Sequence, residues 1–181
     1  MCIRDRTETF NISVFTENRI GILNRITIIF TRRYLNIDSI TASECELPGV
    51  YRYTIVLQSD EAQVKKVVGQ IERQVDVLKA FYHRDEDIVH QELSMFKMKT
   101  KDFLSMKNRE KVLNDHNARI VTLENEFIMI ERTGTNEEIQ KLFNELNKTG
   151  VLEFARSGRV AISKPMKSLE EHLVELEQSR F

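Results

Sequence analysis

A chain of 181 residues, 41% hydrophobic and 30% charged, has the make-up of a globular protein and length for one domain or two small ones, each with a modest core. Its 27 Lys/Arg and 28 Asp/Glu leave a net charge of −1, and residues 1–85 and 86–181 carry +1 and −2, so neither half reads as a polyelectrolyte binder. No apolar run is long enough for a membrane span and no charged-then-apolar leader opens the chain, so a cytoplasmic address is expected, while Cys2 and Cys45 are too few and too far apart for a disulfide framework or a zinc site.

The first six residues, MCIRDR, fit no element and read as a frayed or non-native leader. From Thr9 to Phe15 apolar residues alternate, with Phe10, Ile12 and Val14 on one face and Asn11, Ser13 and Phe15 on the other, which predicts a half-buried strand. A polar turn with Asn18 and Gly21 leads into a helix whose core stripe is Ile22, Leu23, Ile26, Ile29 and Phe30, with Asn24, Arg25, Thr31, Arg32 and Arg33 facing outward. Gly21 has two readings. It permits close approach of an anion to the free N–H groups and positive dipole end of the first helical turn, or it relieves crowding where helix meets sheet; spacing alone favours the second.

A second polar turn at Asn36 precedes a strand over Ile37–Cys45, and Pro48-Gly49 turns the chain into a return strand where Tyr51, Tyr53, Ile55 and Leu57 alternate with Arg52, Thr54 and Val56. Asp60 and Gln63 resemble a capping box ahead of a helix with Val64, Val67, Val68 and Ile71 on its core side, and Val75, Val77 and Phe81 mark a fourth strand. The order is βαββαβ, a ferredoxin-like domain with two helices on one face of an antiparallel sheet.

The charged stretch Arg84–His90 reads as a domain boundary. The same order then recurs: a strand over Leu93–Lys99, a helix over Asp102–His116 anchored by Phe103, Met106, Val112 and Leu113, strands at Ile120–Leu123 and Phe127–Ile130, and a helix capped by Thr135 with Glu138 that carries Ile139, Leu142, Phe143 and Leu146. Gly150 stops that helix at an expected left-handed position, and Val151–Ile162 holds the last strand or strands. Ser168 with Glu171 caps a terminal helix bearing Leu169, Leu173 and Leu176. The fold class is therefore α+β, two ferredoxin-like βαββαβ domains, with boundaries expected at 7–84, 91–165 and 166–181.

Residues for chemistry are sparse. His83, His90, His116 and His172 form no HExxH or other ligand pair and read as surface histidines, Asp85, Glu86 and Asp87 read as a solvated linker, and no phosphate-binding glycine loop is present, so no catalytic or metal site is predicted. The element order also fits an RNA-recognition domain, with Gly49, Tyr51 and Tyr53 as footing, but the chain lacks a basic excess and the full RNP1 pattern. An acylphosphatase-like enzyme would need a longer phosphate loop than Asn18-Arg19-Ile20-Gly21.

The run Thr16-Glu17-Asn18-Arg19-Ile20-Gly21-Ile22-Leu23-Asn24-Arg25, followed by Phe30-Thr31-Arg32-Arg33 and Asn36-Ile37-Asp38-Ser39-Ile40, closely resembles the ACT domain of the acetolactate (acetohydroxyacid) synthase small subunit. Far along the chain, Phe154-Ala155-Arg156-Ser157-Gly158-Arg159-Val160-Ala161 resembles the arginine-serine-glycine segment of that family's second domain, so the resemblance runs from about Phe10 to Pro165. It implies a non-catalytic regulatory subunit that activates a separate large subunit and confers feedback inhibition by valine or a related branched-chain amino acid. No cofactor is expected in this chain; thiamine diphosphate, magnesium and FAD are expected in the catalytic partner. The resemblance further implies a homodimer through the ACT domain, with Asn18, Ile20, Gly21, Ile22 and Leu23 of one copy and Asn36 and Ile37 of the other holding the effector.

Amides near Gly21 would take its carboxylate, Asn36 would accept from its ammonium, and Ile20 or Ile37 would meet its side chain. Many members of the family have a glycine and an aromatic residue before that asparagine, where this chain has Tyr34 and Leu35. Tyrosine disfavours a positive φ, so a different turn is expected there. Arg32, Arg33 and the Arg156–Arg159 segment are candidate contacts with the large subunit. The alternatives are an ACT-domain amino-acid sensor serving another enzyme or a transcriptional system, and a free-standing enzyme on this fold.

Overall fold

The computed structural model describes residues 7–164, which fall into two units. One takes residues 7–89 together with 159–164, and the other takes His90–Gly158. The expected boundaries place 159–164 with the second domain, whereas contacts group it with the first; the expected terminal helix over 166–181 lies outside the described residues.

The first unit contains β1 (Glu8–Glu17), α1 (Ile22–Thr31), β2 (Ser39–Glu44), β3 (Val50–Ser59), α2 (Glu61–Ile71) and β4 (Val77–Arg84). A short 3-10 turn, Asp85–Asp87, leads into β5 (Ile88–Lys99). The second unit continues with α3 (Thr100–Ser105), α4 (Arg109–Asp115), β6 (Arg119–Leu123), β7 (Phe127–Gly134), α5 (Asn136–Asn147) and β8 (Val151–Arg156), after which β9 (Val160–Ser163) belongs to the first. No helix among the described residues is long and apolar enough to cross a membrane.

The first sheet is antiparallel in the order β2-β3-β1-β4, with Ile12 opposite Ile55 on one side and Tyr82 on the other. The second repeats that order as β6-β7-β5-β8, so the recurrence of elements in the sequence is a recurrence of topology. In the first unit Phe10, Ile12, Val14, Ile55 and Leu57 from the sheet pack against Ile26 and Phe30 of α1 and Val64, Val67 and Ile71 of α2. Full burial of such a side chain contributes about 1.5–3 kcal/mol, so the alternating strands and 3.6-period helices hold each other in place. In the second unit Phe96, Met98, Ile128 and Ile130 meet Phe103, Val112, Ile139, Leu142 and Leu146.

The local signals hold at the caps. Asp60 Oδ1 accepts from the Gln63 amide at 2.8 Å at the start of α2, and Thr135 with Glu138 forms both arms of a capping box, 3.4 and 2.8 Å, on α5. Gly150 has φ 112, the left-handed stop expected of it.

Three expectations need correction. β1 is not half-buried, because its second face is covered too: Asn11 is 1% exposed and Ser13 and Phe15 are also buried. Arg52 of β3 lies 5.4 Å from the Phe15 ring centre, donates to Ser13 Oγ at 3.2 Å and also donates to the Ala161 carbonyl of β9. Val75 does not enter the fourth strand but lies fully exposed in the turn before it. The single helix over Asp102–His116 is broken into α3 and α4 by an extended Met106. At about 100° per residue Val112 would stand half a turn out of phase with Phe103, and the break lets both reach the core.

Candidate functional site

The loop between β1 and α1 is held from two sides. The Asn18 amide donates to the Gly49 carbonyl in the β2–β3 turn at 3.3 Å, and the Glu17 amide donates to the Asp76 carbonyl before β4 at 3.0 Å. Arg25, in the first turns of α1, pairs with the Asp76 carboxylate, so the start of the helix is tied to the same loop. Within this frame Asn18, Arg19, Ile20 and Gly21 are exposed, and Arg19 is turned back onto Glu17 at 3.0 Å.

Gly21 caps α1 in the left-handed conformation, φ 83, without a side-chain cap, and nothing stands within 4 Å of where a Cβ would be. Relief of crowding is therefore not its role. Any other residue is strained there by its backbone, and the space beside it is open. The Ile22 amide donates to the Arg19 carbonyl at 3.3 Å and the Ile22 side chain is buried in the core, whereas Leu23 is exposed. The amides of Leu23 and Asn24 are in the first turn, where helix geometry supplies no intrahelical acceptor and the dipole is positive.

Asn36 and Ile37 lie at the other end of α1. Ten helical residues span about 15 Å, so one chain does not bring them to Asn18–Leu23. Asn36 is exposed, and Ile37 packs against the first core on the way into β2. The turn that presents them is a Schellman motif: the Tyr34 amide donates to the Thr31 carbonyl and the Leu35 amide to the Phe30 carbonyl, both at 3.1 Å, with Leu35 packed on the core. Tyr34 has φ 55, so the expectation of a different turn is corrected: tyrosine adopts the left-handed conformation, held by these two hydrogen bonds and by the packing of the half-buried Leu35 on the core.

Of the basic candidates, Arg33 donates to Gln70 Oε1 at 2.8 Å and Arg32 is exposed. Arg156 reaches Glu92 at 3.3 Å and donates to Asn136 Oδ1, while Ser157 exchanges two hydrogen bonds with the Leu93 backbone, 2.8 and 2.9 Å. Arg159 is largely buried and donates to Asp85 Oδ1 at 2.8 Å and Asn11 Oδ1 at 3.3 Å, so it is an internal residue of the first unit. Neither Asn11 nor Asp85 carried a sequence signal, because the three positions are separated by up to 148 residues. Burial pushes the Arg52 pKa down, with Glu46 and Cys45 acting in the opposite direction.

His116 is not a solvated histidine; its Nε2 lies 2.8 Å from Glu145 Oε2, with most of the ring covered. His83 is half-buried beside Phe81, and His172 is outside the described residues. Among the described residues no group of three or more His, Cys, Asp or Glu stands ready to hold a metal ion.

Two ferredoxin-like domains in one chain, the first opening its leading helix to solvent behind a left-handed glycine, define a tandem protein built on the ACT module. Residues 12–79 match the model of the acetohydroxyacid synthase small subunit-like ACT domain, and residues 91–165 match that of the small subunit of acetolactate synthase. The chain is 30% identical over 162 residues to the probable acetolactate synthase small subunit of Methanothermobacter thermautotrophicus, covering 90% of this chain and 96% of that one. It is 32% identical to the acetolactate synthase small subunit of Bacillus subtilis, over 84% and 89% of the two chains. The crystal structure of the acetolactate synthase small subunit from Thermotoga maritima superposes with a TM-score of 0.79 at 25% identity, covering 88% of this chain and 99% of that one. The chain belongs to the acetolactate synthase small-subunit family. Membership implies a non-catalytic role beside a catalytic large subunit.

Proposed function

We propose that this chain is a cytoplasmic regulatory subunit that raises the activity of an acetolactate synthase large subunit and makes it sensitive to valine or a related branched-chain amino acid. The observation that carries the reading is Gly21. A helix start with a left-handed glycine, open space beside it and first-turn amides without an intrahelical acceptor suits the carboxylate of a small amino acid. Asn18 and Ile20 flank it and Leu23 is exposed on the same turn, while Ile22 contributes backbone only.

The complementary half comes from a second copy. β2 is an edge strand with Ile40 exposed, and Asn36 and Ile37 lead directly into it. Edge-to-edge pairing of two first domains sets Asn36 and Ile37 of one copy against the Asn18–Leu23 loop of the other, with Asn36 Oδ1 accepting from the effector ammonium and Ile37 or Ile20 meeting its aliphatic side chain. Thiamine diphosphate, magnesium and FAD belong to the large subunit in this reading. Inhibition follows from differential binding: the effector favours a pair geometry that activates the partner less, since equal affinity for two geometries shifts neither.

The test is isothermal titration of the purified chain with valine, leucine and isoleucine, repeated with Asn36→Ala, and co-purification with a thiamine-dependent large subunit. Selective binding lost in the variant, with the large subunit retained on the column, supports the reading. Binding of none of the three amino acids removes the effector site from it, and capture of a different enzyme replaces the partner.

A further inference from the structure

Tyr34 combines two properties for which the described residues show no use. It takes φ 55, a conformation that costs any residue with a Cβ, and the residue is 99% exposed. The ring makes no hydrogen bond or ring contact with any described residue. The fold needs a left-handed residue at this place, but it needs no ring. Glycine would close the same Schellman motif, with the Thr31 and Phe30 carbonyls accepting as they do here. Strain held at a position where the side chain serves nothing among the described residues points to a use beyond them.

The neighbourhood says which use. Tyr34 stands two residues before Asn36, a span of at most about 7 Å along the chain, and both side chains are exposed. The backbone on the two sides of Asn36 is fixed by the Leu35 amide donating to the Phe30 carbonyl and by the Asp38 amide donating to the Val56 carbonyl at 2.8 Å. A group bound at Asn36 is therefore within reach of the ring. The facing half of the proposed site, the loop at Gly21, is open and has no aromatic residue between Thr16 and Thr27 to close it.

We propose that Tyr34 is the specificity-determining rim of the effector site, its ring covering the effector's aliphatic side chain and so setting which branched-chain amino acid is held. This rests on the effector site described above. A ring face suits branched methyl groups, and its hydroxyl can stay at the wet edge.

Titration of the full chain with valine, leucine and isoleucine, in the wild type, Tyr34→Gly and Tyr34→Phe, tests it. Glycine accepts the positive φ, so Tyr34→Gly keeps the fold. The expected result is that the best-held amino acid binds about tenfold more weakly to Tyr34→Gly and the differences among the three shrink, while Tyr34→Phe retains affinity and ranking. Unchanged affinity and ranking in Tyr34→Gly, with binding still abolished by Asn36→Ala, overturns the role of Tyr34 and leaves the site standing. Loss in Tyr34→Phe equal to that in Tyr34→Gly assigns the effect to the hydroxyl and overturns the covering ring. No binding to the wild type overturns the effector site and this inference together.

Discussion

Arg159 Nη1 lies 2.8 Å from Asp85 Oδ1, and the same carboxylate oxygen accepts from Asn11 Nδ2 at 2.6 Å. Three residues from distant parts of the chain thus close one polar cluster on the first unit, and the Lys164 amide, donating to the Asp87 carbonyl at 2.9 Å, fastens the far end of β9 beside it. Only 12% of the Arg159 side chain is exposed, so its hydrogen bond to Asn11 is partly buried, while the Asp85 side chain, 44% exposed, is open to solvent. Arg159→Ala is expected to lower stability by about 1–3 kcal/mol, since it leaves Asn11 and Asp85 short of a charged donor. Amide exchange over 160–163 should rise with it. An unfolding midpoint and exchange rates equal to those of the wild type would show that the cluster contributes nothing.

Gly21 separates backbone strain from site chemistry. Gly21→Ala meets no atom within 4 Å and pays only for φ 83, about 1–2 kcal/mol of stability. Gly21→Asp adds a negative charge where the effector carboxylate is proposed to sit. Valine affinity should fall at least about tenfold further in the aspartate variant than in the alanine variant. Feedback inhibition surviving in Gly21→Asp, with the dimer intact by light scattering, would sink the site assignment.

Tyr34 and Asn117 form a natural comparison, since both have positive φ, 55 and 47, after a helix. Asparagine tolerates this conformation through its short polar side chain, whereas tyrosine adopts it at a cost. Tyr34→Asn should therefore stabilise the protein without effector by about 0.5–1 kcal/mol, and Asn117→Tyr should destabilise it by a similar amount. Thermal midpoints of the two variants moving in the same direction would contradict this account.

Glu61 sets an acid limb of stability. Hydrogen bonds from Lys65, Tyr82 and Arg84 hold its carboxyl down to about 2 from an ordinary 4.5. A folded-state pKa below the unfolded one means that the contribution is present above about pH 4.5 and is lost as the pH falls toward 2. Glu138 is shifted in the same direction, first by the Thr135 amide. In Glu61→Gln, denaturant midpoints measured across that range should fall less steeply than in the wild type. Because the Glu61 side chain is 36% exposed, the difference is small and shrinks in high salt. Parallel curves for the two proteins would show that Glu61 has no such role.

The element order, the repetition of that order and most caps were legible in the chain alone. These are local matters: alternation at period two, apolar stripes at period 3.6, the Thr135–Glu138 box and Gly150 are all written within a few residues of where they act. The sequence also singled out Asn18, Gly21 and Asn36, because turn residues at the ends of one helix are visible in composition. It could not tell that Ile22 turns inward while Leu23 stays out, since both fit one apolar stripe.

Whatever depends on distant partners was set by packing. Asn11 and Ser13 read as a solvent face until Arg52, Arg159 and β9 cover them, and no local pattern records a return from so far along the chain. The break at Met106 follows from the need to bring Phe103 and Val112 to one core, which is a demand of packing and not of helix propensity. The left-handed Tyr34 has the same origin. Tyrosine disfavours that conformation, but packing of Leu35 on the core and two backbone hydrogen bonds outweigh the cost, and those terms exist only once the helix is docked.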